Sequence, residues 1–141
     1  MTIRTLCVDD DSTVLNVLKD FLASKGHQVF ATTSVQEAIK ALGAGETFTF
    51  CISDYQMPEM NGDDFLRIVA DKSPATVRLL MSGYSNTHLL HQLTLDGACS
   101  TFIEKPFQLS ALVEILETHL LVVRSHVSTE QFIGSADGGN H

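Results

Sequence analysis

Residues 3–22, IRTLCVDDDSTVLNVLKDFL, place a short apolar run, three consecutive aspartates and a helical repeat in direct succession. The run Ile3–Val8 has the length and the β-branched content of a buried strand. After the aspartates, apolar residues recur every three to four positions, which predicts an amphipathic helix. The stretch therefore predicts one strand–helix unit with acidic groups at the junction.

The same alternation continues along the chain. Further strands are predicted at His27–Ala31, Phe48–Ser53, Val77–Met81 and Ser100–Ile103. Helical spacing predicts five helices, of which four end at Lys25-Gly26, at Gly43-Ala44-Gly45, before Pro74 and near Gly97, and the fifth begins after Pro106. Strands that alternate with helices pair in parallel through right-handed crossovers. We expect an α/β fold with a doubly wound five-stranded parallel sheet, whose ligand crevice lies at the carboxyl ends of the strands.

The composition favours a single compact domain without a basic surface. The 141 residues are 44% hydrophobic, and 9 lysines and arginines stand against 17 aspartates and glutamates, a formal net charge of -8. This balance disfavours direct binding to nucleic acid. The three cysteines, Cys7, Cys51 and Cys99, form no CxxC pair, which indicates buried reduced thiols rather than a disulfide framework or a zinc ribbon.

The sequence also predicts where the protein is found. No apolar run approaches the roughly 20 residues of a membrane span, and the first residues lack the basic and apolar regions of a signal peptide. We therefore expect a cytoplasmic protein without a membrane partner. From Ser125 onward the helical period fades and small polar residues dominate. We predict one domain over residues 1–124 and a flexible tail, or the start of a linker, over residues 125–141.

Polar side chains follow the ends of four predicted strands. The strands lead into Asp9-Asp10-Asp11, Ser53-Asp54, Ser82-Gly83 and Lys105-Pro106. Because parallel strands of an open sheet present their carboxyl ends at one edge, we expect these side chains to lie together. Clustered carboxylates repel one another unless a cation neutralises them, and oxygen ligands of this kind favour Mg²⁺. An ionised aspartate beside Mg²⁺ can attack phosphorus and form an aspartyl phosphate.

Four motifs carry a resemblance to a known family. They are Val8-Asp9-Asp10-Asp11, residues 53–62 (SDYQMPEMNG), Met81-Ser82-Gly83-Tyr84 and Glu104-Lys105-Pro106-Phe107. In this order and spacing the chain resembles the response-regulator receiver domain of two-component signal transduction, over roughly residues 1–124. The resemblance implies the flavodoxin-like strand order 2-1-3-4-5 that is known for a chemotaxis member of this family.

The resemblance also implies a set of ligands for Mg²⁺. Asp54 would be the phosphoacceptor and a metal ligand. Asp10 would bind the ion directly, and Asp9 would hold a metal-bound water. The backbone carbonyl of Gln56 would complete the protein ligands.

Further roles are implied for the fourth and fifth strands. Lys105, followed by a cis bond to Pro106, would pair with one phosphoryl oxygen, and Ser82 would hydrogen-bond another. Phe102 matches the aromatic switch position, although it lacks the hydroxyl of the commoner tyrosine. A sensor histidine kinase or a phosphotransfer protein would donate the phosphoryl group. The face formed by the fourth helix, fifth strand and fifth helix would then contact an output domain, a target protein or a second copy of the chain.

Two other functions remain open. A small Mg²⁺-dependent phosphohydrolase could use Asp54 as a transient nucleophile, but it would need a nearby acid/base carboxylate, and Gln56 stands two residues on. A degenerate receiver would dock proteins without being phosphorylated. The preferred prediction is the phosphoacceptor, which modifies only itself and is therefore not an enzyme in the usual sense.

Several residues are predicted to have purely structural roles. Asp11 or Ser12 would cap the first helix, and Asn61-Gly62 would form a turn in which glycine allows a positive φ. His88 and His91 are spaced three apart on a helix but lack the further ligands of a zinc site, so both are predicted at the surface. The aromatic residues predicted for the core are Phe21, Phe30, Phe48, Phe50 and Phe65.

Overall fold

A computed structural model of the chain describes residues 2–83 and 87–121. It contains a compact unit that runs to Pro106 and holds the whole sheet, and a second unit that begins at Phe107. Five parallel strands form one sheet in the order β2-β1-β3-β4-β5. The strands are β1 (Arg4–Val8), β2 (Gln28–Thr32), β3 (Phe50–Asp54), β4 (Val77–Ser82) and β5 (Thr101–Glu104). The predicted fold class and strand order are confirmed.

Four helices connect these strands. They are α1 (Ser12–Ser24), α2 (Val35–Gly43), α3 (Gly62–Lys72) and α4 (Thr87–Leu95). α1 begins at the cap Asp11, whose carboxylate accepts hydrogen bonds from the backbone N–H groups of Thr13 and Val14. It ends before Gly26, which has a φ of 90°, a backbone conformation that glycine adopts without steric cost. The predicted cap and the predicted stop signal are both correct.

The core of the first unit lies on both faces of the sheet. Leu6, Val8 and Leu80 belong to one buried cluster together with apolar residues of α2, α3 and α4. Successive strand residues point to opposite faces, so Cys7, between Leu6 and Val8, is buried on the other side. α1 contacts β1 and β2 and buries three leucines. Helices on both faces of a parallel sheet make this a doubly wound fold.

Two of the five predicted core phenylalanines lie nearer the surface. Phe48, Phe50 and Phe65 are buried, whereas Phe30 is half-buried at the margin of the core. Phe21 is also half-buried, and the Lys25 ammonium lies 5.7 Å from the centre of its ring. The prediction was wrong for Phe21, which lies at the margin of the buried stripe of α1, whereas Phe30, on an edge strand, still packs against the core cluster.

The second unit begins with a fifth helix. Residues 109–121 are helical, and Leu112 and Leu116 are its buried leucines. The predicted tail, residues 125–141, lies outside the described residues. Among the helices described, none is long and apolar enough to cross a bilayer.

Candidate functional site

The carboxyl ends of β1, β3 and β5 bring acidic and basic side chains to one edge of the sheet. In the β1–β3 ladder, Val8 is paired with Ser53. The next residue along each strand is Asp9, directly after β1, and Asp54, the last residue of β3, so the two lie side by side at this edge. Lys105 follows β5, and its backbone N–H donates a 2.7 Å hydrogen bond to the carbonyl of Ser82 at the end of β4. This bond anchors the start of the loop that carries the lysine.

Lys105 joins the two buried carboxylates. Its Nζ lies 3.0 Å from Oδ2 of Asp9 and 3.0 Å from Oδ1 of Asp54. The side chain of Asp9 is 1% exposed, and its other oxygen accepts a 2.9 Å hydrogen bond from the backbone N–H of Asp11. Charged groups buried to this degree require partners. The lysine supplies one positive charge to a cluster with a larger negative charge.

The electrostatics of this cluster leave negative charge uncompensated. Burial raises the pKa of the Asp54 carboxyl, and the charges of Asp9 and Asp10 act in the same direction, while the contact with Lys105 opposes the rise. For Lys105, burial acts to lower the pKa of the ammonium, but hydrogen bonds to Asp54 and Asp9 outweigh it and raise that pKa above its ordinary value. A single lysine does not offset three neighbouring carboxylates, so the site favours a further cation.

Three carboxylates are close enough to share one ion. Oxygen atoms of Asp9, Asp10 and Asp54 lie within 4.8 Å of one another. Asp10 is exposed, whereas the other two are buried, so an ion has access from solvent on one side. Hard oxygen donors with an open side fit Mg²⁺, which binds few protein groups and keeps several waters.

A cavity of about 470 Å³ opens beside these carboxylates. Gln56, which was predicted to offer its backbone carbonyl, is exposed and lines this cavity. The other residues that line it are Asp9, Asp10, Asp11, Asp54, Met57, Pro58, Asn61 and Lys105. The cavity wall is therefore mainly polar and acidic, with Lys105 as its basic member among the described residues.

The two predicted switch residues lie on the neighbouring strands. Ser82 is the last residue of β4, is buried and pairs with Glu104 of β5; it is not among the described residues that line the cavity. Phe102 on β5 is half-buried, and its ring packs edge-on against His91 of α4, with centroids 5.2 Å apart and planes at 90°. Tyr84, which completes the motif after Ser82, lies outside the described residues.

The motifs align with a family of known proteins. Residues 5–117 match the model of the response regulator receiver domain. The response regulator protein FleR of Pseudomonas aeruginosa is 32% identical over 121 residues, which cover 86% of this chain but 25% of FleR. The chain belongs to the response regulator receiver family.

Solved structures share the fold of this receiver domain. A CheY-like response regulator receiver domain protein from Methanospirillum hungatei superposes with a TM-score of 0.81 at 23% identity, covering 89% of this chain and 99% of that one. Response regulator protein TrrA from Thermotoga maritima, solved in complex with Mg(2+)-BeF, gives a TM-score of 0.72 at 23% identity and covers 83% of this chain and 98% of its own.

Three features of this receiver domain were not predicted from the sequence. Gly62 lies at the first position of α3 with an ordinary φ, so the predicted positive-φ turn is wrong. Glycine is needed there because a Cβ would come within 2.0 Å of the Asp54 carbonyl oxygen. Asn61 lines the cavity instead of serving only as a turn residue. His91, although exposed as predicted, contacts Phe102.

Proposed function

We propose that this receiver domain, spanning residues 1–124, accepts a phosphoryl group on Asp54. The observation that carries the proposal is the bridge of Lys105 Nζ between Asp9 and Asp54, at 3.0 Å from each. It holds an acceptor oxygen and a cationic donor at the mouth of an acidic cavity. The fold rule for open α/β sheets favours a ligand at this same edge.

The proposed reaction is a phosphoryl transfer from a histidine of the donor protein. A carboxylate oxygen of Asp54 forms a bond to phosphorus as the bond between phosphorus and the imidazole nitrogen breaks. The electron pair of the broken bond stays on the imidazole. Lys105 stabilises the negative charge on the transferring group, and positioning with charge neutralisation is the main source of catalysis in such transfers.

The groups proposed to hold the metal are Asp9, Asp10, Asp54 and the backbone carbonyl of Gln56. When bound, Mg²⁺ would supply the positive charge that three carboxylates and the incoming phosphoryl oxygens require. The side chain of Asp9 already accepts hydrogen bonds from Lys105 and from the backbone of Asp11. We therefore assign Asp9 an indirect contact, through a water of the ion, and Asp10 a direct one.

Phosphorylation would act on β4 and β5 through Ser82 and Phe102. Ser82 would be drawn towards the new phosphoryl oxygens, and Phe102 would then rotate inward. That rotation breaks its edge contact with His91 of α4. A phosphoryl group can shift this equilibrium only by binding one of the two states better than the other.

The partners follow from this chemistry. The donor would be a sensor histidine kinase or a phosphotransfer protein in the cytoplasm. The partner that binds the switched face on α4 and β5 would be an output domain, a target protein or a second copy of the chain.

Intact-mass analysis after treatment with acetyl phosphate tests the proposal. We expect the mass of one phosphoryl group to appear with Mg²⁺ present and to be absent in a chelator. Asp54→Asn should abolish the added mass. As a matched control, Asp71→Asn removes an exposed carboxylate of α3 and should leave the labelling unchanged.

Two results would contradict the proposal. A wild-type chain that folds and binds a partner but takes no phosphoryl group supports the degenerate docking module. Steady release of phosphate from generic phosphate esters supports the phosphohydrolase.

A further inference from the structure

The backbone around Asn61 lies directly against Asp54, the proposed phosphoacceptor. The N–H of Gly62 donates a 2.6 Å hydrogen bond to the carbonyl of Tyr55, the residue after Asp54. Gly62 also approaches the Asp54 carbonyl so closely that a Cβ has no room. The Asn61 carbonyl accepts a 3.1 Å hydrogen bond from Phe65 in the first turn of α3. The backbone on both sides of Asn61 is therefore fixed by hydrogen bonds, and Gly62, the next residue, contacts the Asp54 carbonyl.

The side chain of Asn61 lacks the capping hydrogen bond that its position predicts. Asn61 is the N-cap of α3, with the extended φ and ψ of −71° and 151° that such residues adopt. An N-cap side chain ordinarily accepts a hydrogen bond from the first turn of the helix. Asp11 and Ser34 do so at α1 and α2, but Asn61 makes no side-chain capping bond at α3. Asn61 is exposed and is one of the residues that line the acidic cavity.

The waters of a bound ion would need hydrogen-bond acceptors in the cavity. A Mg²⁺ ion keeps several waters, and each of these waters must donate its hydrogens. Asp9 already accepts one hydrogen bond at each oxygen, from Lys105 and from Asp11, so it has few lone pairs left for the several waters of the ion. An amide oxygen accepts hydrogen bonds without adding to the charge of a cluster that is already acidic.

We propose that Asn61 is a positioning residue for the metal: its amide oxygen accepts a hydrogen bond from a water on the Mg²⁺ ion. The inference rests on the proposed function and adds a residue to its site. Groups that hold the ligands of a metal, without touching the metal, typically change its affinity by about 10- to 100-fold when they are removed.

Calorimetric titration of the Mg²⁺-free chain with Mg²⁺, together with urea unfolding in chelator, tests this assignment. For Asn61→Ala we expect the Mg²⁺ dissociation constant to rise about 10-fold, with the midpoint of urea unfolding in chelator unchanged, because no capping bond is lost. Asn61→Asp keeps an acceptor oxygen and adds a charge, so it should bind Mg²⁺ at least as tightly as the wild type.

Ser34→Ala is the matched control at another N-cap. It removes the capping hydrogen bond that the Glu37 N–H donates to the Ser34 hydroxyl. Ser34→Ala should therefore lower the unfolding midpoint and leave the Mg²⁺ affinity unchanged. An Asn61→Ala affinity within twofold of the wild type overturns the inference. So does an Asn61→Asp variant that binds as weakly as Asn61→Ala, or an equal loss of affinity in Ser34→Ala.

The same titration separates the two proposals. If the wild type binds Mg²⁺ and Asp10→Asn does not, while Asn61→Ala binds normally, only the role of Asn61 is refuted. If the wild type does not bind Mg²⁺, both the role of Asn61 and the proposed function are refuted.

Discussion

Replacing Lys105 by methionine keeps most of the side-chain volume and removes the charge that joins Asp9 to Asp54. Two hydrogen bonds between charged groups are lost, each worth about 1.5–3 kcal/mol. Leaving a buried charge without its partner costs about 3–5 kcal/mol, and the Lys105 side chain is only 22% exposed, so water screens little of this. Asp54 recovers part of the loss by taking up a proton, since its pKa is already raised. We expect the free energy of unfolding to fall by about 3 kcal/mol.

The pH and metal dependence of this loss follow from the same contacts. Because the pKa of Lys105 is raised in the folded protein, its stabilising effect is complete below the ordinary lysine value of about 10.4 and disappears as pH rises through the folded value. Near neutral pH the full effect is therefore measured. Mg²⁺ should stabilise Lys105→Met more than the wild type, because the ion supplies the missing positive charge and its binding adds to stability by linkage.

Urea unfolding near neutral pH, in chelator and in millimolar Mg²⁺, measures both effects. Lys19→Met removes an exposed lysine of α1 and serves as the control; it should change stability by less than about 0.5 kcal/mol. The reasoning is refuted if Lys105→Met is as stable as Lys19→Met in chelator. It is also refuted if Mg²⁺ stabilises the wild type and Lys105→Met equally.

Three further outcomes are expected. Gly62→Ala should lower the free energy of unfolding by about 1–3 kcal/mol, because its Cβ collides with the Asp54 carbonyl, whereas Gly43→Ala, with open space at its Cβ, should be neutral or stabilising in the same urea assay. Burial lowers the pKa of His27, so the wild type should lose stability as pH falls below about 6.5, and His27→Asn should show a smaller loss; equal slopes would contradict this. Burial raises the pKa of the Cys7 thiol to about 12, so an alkylating reagent should label it only in urea, and rapid labelling of the native chain at neutral pH would show that the strand is not buried.

The fold was predictable because its signals are local. Apolar runs and helical repeats alternate, and Gly26, with its φ of 90°, ends α1 where the Lys25-Gly26 pair predicted. The predicted end of β1 at Val8 was correct, but the ends of the other four strands were placed one residue too early. The prediction ended β3 at Ser53 and β4 at Met81, where the apolar runs stop, whereas the ladders continue through Asp54 and Ser82. Backbone hydrogen bonds form a ladder whether or not the side chain is apolar.

The candidate site was predictable only where residues end a strand or follow it directly. Asp9, Asp54 and Lys105 come from three strand ends, and the sheet order places these together. The approach of Gly62 to Asp54 and the contact of His91 with Phe102 depend on how loops and helices pack. No spacing along the chain carries that information, since such contacts join residues from separate elements.

The most direct test of the central claim is to locate the phosphoryl group on the chain. The wild type, phosphorylated by acetyl phosphate in Mg²⁺, would be reduced with borohydride, which converts an aspartyl phosphate to homoserine, and its peptides would be sequenced by mass spectrometry. The account predicts homoserine at position 54 and unmodified aspartate at Asp9 and Asp10. Homoserine at either of those two positions, or at none, would contradict it.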